Sequence, residues 1–247
     1  MAEIPFNPFS LFGKTILVTG ASAGIGKAIA IACSQMGGMV ILNGRNQERL
    51  KKTLQELSGE GHQIISADLS MEKDRTRLID NLPKLDGLVQ CAGVGSRVPC
   101  KMIGKDDLEH VFVPNVEAPI LLQTELLAKK KINKSSSIVF IASKAASFPS
   151  IGNAAYSASK GAIISYAKCL ALELAPRQIR VNCICPAMVW TDLILQGGIS
   201  KEDLGEAQLK YPLKRYGKPE DIAYLAIYLL SDASSWMTGT CVDITGG

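Results

Sequence analysis

The residues with the clearest chemical potential in this sequence are Tyr156 and Lys160, four positions apart at the start of a segment with helical periodicity. Residues i and i+4 share a helix face, so the phenol and the ammonium group can lie close together. A free phenol has a pKa near ~10, and a nearby cation favours the charged phenolate form. Such a pair can exchange a proton with a carbonyl or alcohol oxygen, although a tyrosine close to a lysine is also common on ordinary helix surfaces.

A hydroxyl group precedes this pair. Ser143 lies thirteen residues before Tyr156, at the end of an apolar run that predicts a strand. In a parallel sheet the carboxyl ends of the strands line the ligand crevice. We therefore expect Ser143 to hold the reacting oxygen of a substrate beside Tyr156.

A glycine-rich turn lies between the first predicted strand and the first predicted helix, where residues 19–26 read Thr-Gly-Ala-Ser-Ala-Gly-Ile-Gly. Gly20 can turn the chain sharply, Gly24 can let the backbone approach a pyrophosphate, and Gly26 can let the helix pack closely on the sheet. The amides at the start of the helix then point at the anion. This position favours a dinucleotide phosphate site over a turn without ligand. The predicted phosphate contacts are Gly20, Ser22, Ala23, Gly24, Ile25 and Gly26.

The type of dinucleotide depends on the end of the second predicted strand, where residues 43–46 read Asn-Gly-Arg-Asn. An acidic residue at this point typically binds the ribose hydroxyls of NAD. The sequence has none, and the planar cation of Arg45 suits a 2′-phosphate, which favours NADP(H) over NAD(H). An ordinary exposed arginine is the alternative interpretation. Asp68 and Leu69, after the third strand, are predicted adenine contacts, although an aspartate here is also typical of a turn.

Short apolar runs alternate with segments of helical periodicity along the whole chain. The runs show no clean alternation, which is typical of strands buried on both faces of a parallel sheet. Strand, helix and strand at this spacing give right-handed crossovers. We therefore predict an α/β fold in a single domain, 1–247, with a Rossmann-type doubly wound parallel sheet of seven strands flanked by helices. The predicted strands are 15–19, 39–43, 63–67, 87–91, 137–143, 179–184 and 240–244, and the predicted helices are 25–36, 47–57, 74–82, 106–112, 120–131, 154–174 and 219–230.

The segment 187–211 breaks this alternation. It is long, contains Gly197 and Gly198, and follows a strand at the carboxyl end of the sheet. Long segments at this edge commonly carry function, so we expect a substrate lid.

Composition and charge limit the function classes. Apolar residues make up 47% and charged residues 20% of the chain, as in globular proteins. The net charge of +4 is too small to indicate nucleic-acid binding. The densest basic run is Lys129, Lys130, Lys131 and Lys134, which is either a solvated helix end or a docking patch for an acidic carrier protein.

The seven cysteines are odd in number and lie mostly in apolar segments, as reduced thiols in a reducing compartment do. Cys183 and Cys185 share a strand face, but no second pair completes a metal site. With two histidines in the chain, neither zinc nor histidine-based catalysis is expected.

The first 15 residues lack a basic start followed by an apolar stretch, and no apolar run approaches the ~18 residues of a membrane span. We expect a cytoplasmic protein without membrane contact.

Taken in order along the chain, these motifs resemble the short-chain dehydrogenase/reductase family, from about Leu11 to Gly247. Within that family the sequence is most similar to bacterial 3-oxoacyl-acyl-carrier-protein reductases. The residues that carry the resemblance are 19–26, Cys91-Ala92-Gly93, Asn115, Ser143, Tyr156, Lys160, Val181-Asn182, Pro186, Gly239-Thr240 and Asp243.

The resemblance implies NADP(H)-dependent hydride transfer to or from a carbonyl carbon. Tyr156 would be the general acid in reduction and the base in oxidation. Lys160 would favour the phenolate and bind the nicotinamide ribose, and Ser143 would orient and polarise the carbonyl. Asn115 would hold a water that links Lys160 to solvent. The other implied cofactor contacts are Cys91, Ala92, Gly93, Tyr156, Pro186, Val189 and Thr191.

Three positions depart from the family pattern. Residues 90–93 read Gln-Cys-Ala-Gly where the family often has Asn-Asn-Ala-Gly, which puts in doubt some hydrogen bonds that brace the sheet. Ala187 follows Pro186 where a glycine is usual. Many NADP enzymes of the family carry a basic residue at the position of Ala23, so Arg45 is the main support for NADP(H).

The sequence leaves three functions open. Apolar residues near the predicted site suit an acyl chain or a hydrophobic ketone, but they are equally typical of lid packing. A polar pocket around Asn153 and Gln196 would favour a sugar, polyol or small alcohol instead. The third function is a nucleotide-binding protein without turnover. The apolar residues near the predicted site are Phe148, Ile151, Met188, Trp190, Leu193, Ile194 and Leu195.

The resemblance also implies a homotetramer through the helices at 120–131 and 154–174.

Overall fold

A computed structural model describes residues 7–195 and 200–247, without the side chain of Leu193. Gln196, Gly197 and Gly198, which entered the predictions of a polar pocket and a lid, therefore lie outside the described residues, as do residues 1–6.

Seven strands form a single sheet. They are β1 (Thr15–Val18), β2 (Met39–Gly44), β3 (Gln63–Ser66), β4 (Leu85–Gln90), β5 (Ile132–Ile141), β6 (Arg180–Pro186) and β7 (Cys241–Ile244). Their order is β3-β2-β1-β4-β5-β6-β7, and every neighbouring pair is parallel. The order reverses between β1 and β4, and a crevice for ligands opens at the carboxyl ends of strands at such a point. The predicted doubly wound parallel sheet in a single domain is confirmed.

The helices cover both faces of the sheet. They are α1 (Gly24–Gln35), α2 (Gln47–Gln55), α3 (Glu72–Asp80), α4 (Lys105–Phe112), α5 (Ala118–Ala128), α6 (Ala154–Leu174), α7 (Asp192–Leu195), α8 (Lys201–Gln208) and α9 (Pro219–Leu230). Leu17 packs in the core beneath α3, α5 and α6, whereas Val18 packs in the core beneath α1 and α9. Consecutive residues of β1 thus enter opposite cores, which explains its continuous apolar run. Of the helices described, none is long and apolar enough to cross a membrane.

The observed bounds differ most from the predicted ones around β5. The strand begins at Ile132 rather than at 137 and ends at Ile141 rather than at Ser143. Ile132 pairs with Leu85, so the polar residues that follow it still belong to the strand. The neighbouring helix α5 begins and ends earlier than predicted, at Ala118 and Ala128.

A π-helical turn, Val113–Glu117, joins α4 to α5. It contains Asn115, and Pro114 and Pro119 flank that residue. Proline lacks the N–H that would continue an α-helical bond pattern, and single π turns are frequent at functional sites. The turn directs the buried side chain of Asn115 inward.

Two short helices interrupt the predicted lid at 187–211. α7 and α8 occupy part of it, and Ser200 caps α8 by accepting a hydrogen bond from the Asp203 amide. Leu204 is the single side chain of α8 that is fully buried, so this helix lies on the surface of the domain.

Candidate active site

Tyr156 lies in the first turn of α6, and Lys160 follows it on the same helix face. The Lys160 Nζ is 5.8 Å from the centre of the Tyr156 ring. Lys160 is 7% exposed, and its Nζ donates a hydrogen bond of 2.9 Å to the Ile141 carbonyl oxygen at the end of β5. An ammonium group has three donors, so this bond fixes the cation and leaves donors for a ligand beside Tyr156.

Asn115 links the loop after β4 to α6. Its Oδ1 accepts from the Val94 amide at 2.8 Å, while its Nδ2 donates to the Val94 carbonyl at 2.9 Å and to Ser159 Oγ at 3.1 Å. Ser159 Oγ in turn donates to the Tyr156 carbonyl oxygen. Both amide hydrogens of Asn115 are therefore used within the protein.

Gly93 is the point where Asn115 and Lys160 come together. A Cβ atom at this position would lie 2.8 Å from Asn115 Oδ1 and 3.5 Å from Lys160 Nζ. The first distance is too short for a side chain, which explains a glycine here. Asn115, Gly93, Lys160 and Tyr156, predicted from separate parts of the sequence, thus form one cluster.

Ser143 lies two residues after the end of β5 and caps a short helical turn, Lys144–Ala146. Its Oγ accepts from the Ala145 amide at 3.1 Å, so its own hydrogen can be donated to a substrate oxygen. Lys144 forms an ion pair with Asp243 of β7, which fixes this turn to the edge of the sheet.

The glycine turn between β1 and α1 forms a close-packed cradle. Gly20 has a φ of +66°, and a Cβ there would lie 3.0 Å from the Ala92 backbone. A Cβ at Gly26 would lie 2.3 Å from the Gly20 carbonyl oxygen. The N-cap residue of α1 is Ala23, which has no polar side chain to cap the helix, so the first amides of the helix are available to an anion. These features fit a dinucleotide pyrophosphate.

Thr19 braces this cradle against the loop after β4, a role that the sequence analysis missed. Its Oγ1 accepts from the amides of Cys91 and Ala92 at 3.0 and 3.1 Å. Gln90 stands where the family often has asparagine, and its Nε2 donates to the Pro119 carbonyl at the start of α5. Burial raises the pKa of the Cys91 thiol to about 12, so this thiol is not a nucleophile at neutral pH.

Arg45 and Asp68 face each other at the carboxyl ends of β2 and β3. The Arg45 side chain is 73% exposed, and its Nη1 lies 4.0 Å from Asp68 Oδ2. Asp68 Oδ1 accepts from the amide and hydroxyl of Ser70, which is the turn-forming alternative for this aspartate. Leu69 is buried in the core. One carboxylate oxygen and one exposed guanidinium thus remain at this end of the crevice.

The chain after β6 passes close to the glycine-rich phosphate turn. Pro186 ends the strand, and Val189 is buried beside it. The Thr191 Cγ2 would lie 3.2 Å from a Cβ at Gly24. Predicted from the resemblance alone, Thr191 is therefore adjacent to the phosphate turn.

The rim beside Ser143 is apolar and open. Phe148 is 78% and Ile151 96% exposed. The Val98 amide donates to the Gly152 carbonyl, which joins the loop after β4 to the loop before α6. Asn153, predicted for a polar pocket, donates from Nδ2 to Ser150 Oγ.

A dinucleotide cradle beside a tyrosine, a lysine and a serine defines the class of nicotinamide-dependent oxidoreductases. The sequence model of a family described as enoyl-(acyl carrier protein) reductase matches residues 20–247. The chain belongs to the short-chain dehydrogenase/reductase family, whose members are NAD(P)-dependent oxidoreductases.

Relatives in this family carry different substrate names. A 3-oxoacyl-(acyl-carrier-protein) reductase of Rickettsia felis is 35% identical over 237 residues, covering 96% of this chain and 97% of the relative. A putative NAD(P)-dependent gluconate 5-dehydrogenase of Beutenbergia cavernae with bound NADP has a TM-score of 0.87 and 32% identity, with 98% of each chain covered. A 3-ketoacyl-(acyl-carrier-protein) reductase of Brucella melitensis in complex with NADH has a TM-score of 0.86 and 29% identity, covering 96% of this chain and 99% of that chain.

Proposed function

We propose that this protein is an NADPH-dependent reductase of 3-oxoacyl thioesters attached to an acyl carrier protein. The Tyr156 and Lys160 pair beside Ser143 supports carbonyl reduction, and a basic cavity of about 830 Å³ at the amino-terminal ends of β4 and β5, away from this pair, supports an acidic carrier. The cavity is lined by Lys84, Lys130, Lys134 and Arg177, at the start of β4 and β5 and near the ends of α5 and α6. The apolar rim at Phe148 and Ile151 supports an acyl substrate.

We propose the following roles for the site residues. A bound nicotinamide cofactor supplies the hydride. The Tyr156 hydroxyl donates a proton to the carbonyl oxygen as negative charge develops there. Ser143 donates a second hydrogen bond to that oxygen, and the buried Lys160 cation lies beside the Tyr156 ring to stabilise the negative charge that develops there. Asn115 would hold the relay water that links Lys160 to solvent, and because its side-chain amide uses both its hydrogens within the protein, it would do so through an oxygen atom.

The cradle residues Gly20, Ser22, Ala23, Gly24, Ile25 and Gly26 would hold the pyrophosphate. Pro186, Val189 and Thr191 after β6 and residues 91–93 after β4 would border the nicotinamide half, and Asp68 would accept from adenine. We further propose that residues 187–211 act as the substrate lid.

Arg45 is expected to set the preference for NADPH. Arg45→Ala should lower kcat/KM for NADPH by about 10- to 100-fold, the worth of a hydrogen bond to a charged group, and should leave the value for NADH nearly unchanged. Steady-state kinetics with both cofactors measures this, and Lys51→Ala on α2 is the control for an exposed cation. An unchanged NADPH to NADH ratio would contradict the assignment.

The basic run predicted as a docking patch divides into two groups. Lys129 pairs with Asp80 and Lys131 donates to the Leu82 carbonyl, as expected of a solvated helix end. Lys130 and Lys134 line the cavity instead. Because its lining has four cationic side chains and one carboxylate, that of Asp86, the cavity favours an anionic partner such as an acidic carrier protein.

Reversing the charge of this cavity tests the carrier proposal. The double substitution Lys130→Glu with Lys134→Glu should raise KM for a carrier-bound 3-oxoacyl substrate about tenfold or more at low salt, since electrostatic steering acts on association. Turnover of a small acetoacetyl thioester should not change. Lys52→Glu with Lys73→Glu gives the same change in net charge elsewhere. Equal KM values for the two double variants would contradict docking at this cavity.

Oxidation of a sugar acid or polyol is the second candidate, favoured by the likeness to the gluconate 5-dehydrogenase structure. Activity of the wild-type protein with gluconate and NADP, without reduction of any acetoacetyl thioester, would replace the proposed function by this one.

We also propose a homotetramer in the cytoplasm. Exposed Leu121 on α5 and Leu172 on α6 support an assembly through these two helices. All seven cysteines are free thiols, which supports a reducing compartment.

A further inference from the structure

An aromatic cluster joins α8 to the chain that follows β6. Trp190 Nε1 donates to Gln208 Oε1 at 3.2 Å, and the Tyr216 amide points at the same oxygen at 3.5 Å. The Trp190 and Tyr216 rings lie 5.4 Å apart, and Tyr211 packs edge-on against Tyr216 at 5.2 Å. Gln208 is therefore the acceptor at the centre of the cluster.

The same tryptophan belongs to a short strap over the cofactor cradle, which we define as residues 188–191. The Trp190 amide donates to the Gly217 carbonyl, and the Gly217 amide donates to the Met188 carbonyl, both at 2.9 Å. Val189 is buried in the core on one side of Trp190, and Thr191 contacts the phosphate turn on the other. The indole thus connects two parts of the molecule: its backbone belongs to the strap, and its side chain binds α8.

The attachment of α8 elsewhere is weak. Of its eight residues, only Leu204 is fully buried. The hydrogen bond between Trp190 and Gln208 is a second point of attachment for this helix, and it ties the helix to the strap.

We propose that Trp190 and Gln208 are positioning residues that couple the lid helix α8 to the cofactor cradle. With the indole held by Gln208, Thr191 stays against Gly24 and slows release of the dinucleotide. A substrate that presses α8 onto the domain tightens the cofactor site, and by reciprocity a bound cofactor raises substrate affinity. The inference rests on the proposed roles of the cradle and lid and is independent of the 3-oxoacyl assignment.

The experiment measures NADPH dissociation by stopped-flow displacement in a Trp236→Phe background. Trp236 is 99% exposed and is the other of the two tryptophans, so Trp190 fluorescence can be recorded alone. Gln208→Leu removes the acceptor at similar size, and it should raise the dissociation rate about 3- to 10-fold, the worth of one hydrogen bond, and shift the Trp190 emission. Gln208→Glu keeps an acceptor oxygen and should restore the wild-type rate. Tyr216→Phe keeps both the ring and the amide and serves as the matched control.

Trp190→Phe deletes the other partner of the bond and is examined with Trp236 in place. The double variant Trp190→Phe with Gln208→Leu should release NADPH no faster than either single variant, because both remove one interaction. A Gln208→Leu dissociation rate equal to that of Tyr216→Phe would overturn the inference. Failure of the wild-type protein to bind NADPH would instead contradict the proposed cofactor, and the inference with it.

Discussion

Replacing Tyr156 by phenylalanine is expected to lower kcat for carbonyl reduction by about 10²- to 10⁴-fold, the usual contribution of a positioned general acid. NADPH affinity should remain close to that of the wild type. The ring that faces Lys160 at 5.8 Å is preserved, and Lys160 keeps its bond to the Ile141 carbonyl. Only the proton donor is lost. Steady-state turnover of an acetoacetyl thioester, combined with a fluorescence titration of NADPH, measures the two effects separately.

The next residue of α6 provides a matched control for this substitution. The Ser157 hydroxyl is buried and has no hydrogen-bond partner within the described residues, so Ser157→Ala removes an oxygen from the same helical turn without breaking a bond. It should keep wild-type turnover and equal or higher stability. If Tyr156→Phe retained more than about a tenth of wild-type kcat, Ser143 would have to be considered as the proton donor.

The parallel sheet was predictable because its strands are buried on both faces. Consecutive residues such as Leu17 and Val18 enter different cores, and this leaves continuous apolar runs that are easily recognised. The start of β5 was not predictable in this way. The polar residues after Ile132 lie in the strand because Ile132 pairs with Leu85, a contact between distant parts of the chain that no local pattern records.

The lid region was predictable as an interruption but not as two helices. α8 has one fully buried side chain, Leu204, so it lacks the apolar stripe by which a surface helix is recognised. The π-helical turn around Asn115 was missed for a related reason. One extra residue in a turn changes the direction of a side chain without changing the local composition.

The residues of the candidate site also fall into those that local sequence predicts and those that depend on distant contacts. Residues recognised as types at fixed spacing, such as Tyr156 and Lys160, were identified from the sequence. Thr19 and Ser159 were not assigned roles, because both act through bonds to groups far away in sequence: Thr19 to the amides of Cys91 and Ala92, and Ser159 to Asn115. Hydrogen bonds of this kind form only when the fold brings distant residues together, so no local sequence pattern predicts them.

Gly26→Ala is expected to impair cofactor binding more than any other single methyl group added to the cradle. The new Cβ would lie 2.3 Å from the Gly20 carbonyl oxygen, and this atom belongs to the backbone, so the turn itself must move. Overpacking of this kind typically costs about 1–3 kcal/mol of stability. Displacing the turn should also raise the NADPH dissociation constant about tenfold or more, since one bond to a charged group contributes about 1.5–3 kcal/mol.

Gly161→Ala separates this steric effect from the general effect of adding a methyl group to a helix. Gly161 lies in α6 directly after Lys160, and among the described residues no atom beyond the chain neighbours and the local helix backbone lies within 4 Å of its ideal Cβ position. Alanine replaces glycine there without a clash, and the lower entropy of the unfolded chain should stabilise the protein by up to about 1 kcal/mol. Thermal unfolding and NADPH titration of both variants test the pair. Wild-type NADPH affinity in Gly26→Ala would show that the turn tolerates displacement, and that close packing of α1 on the turn is not what holds the pyrophosphate.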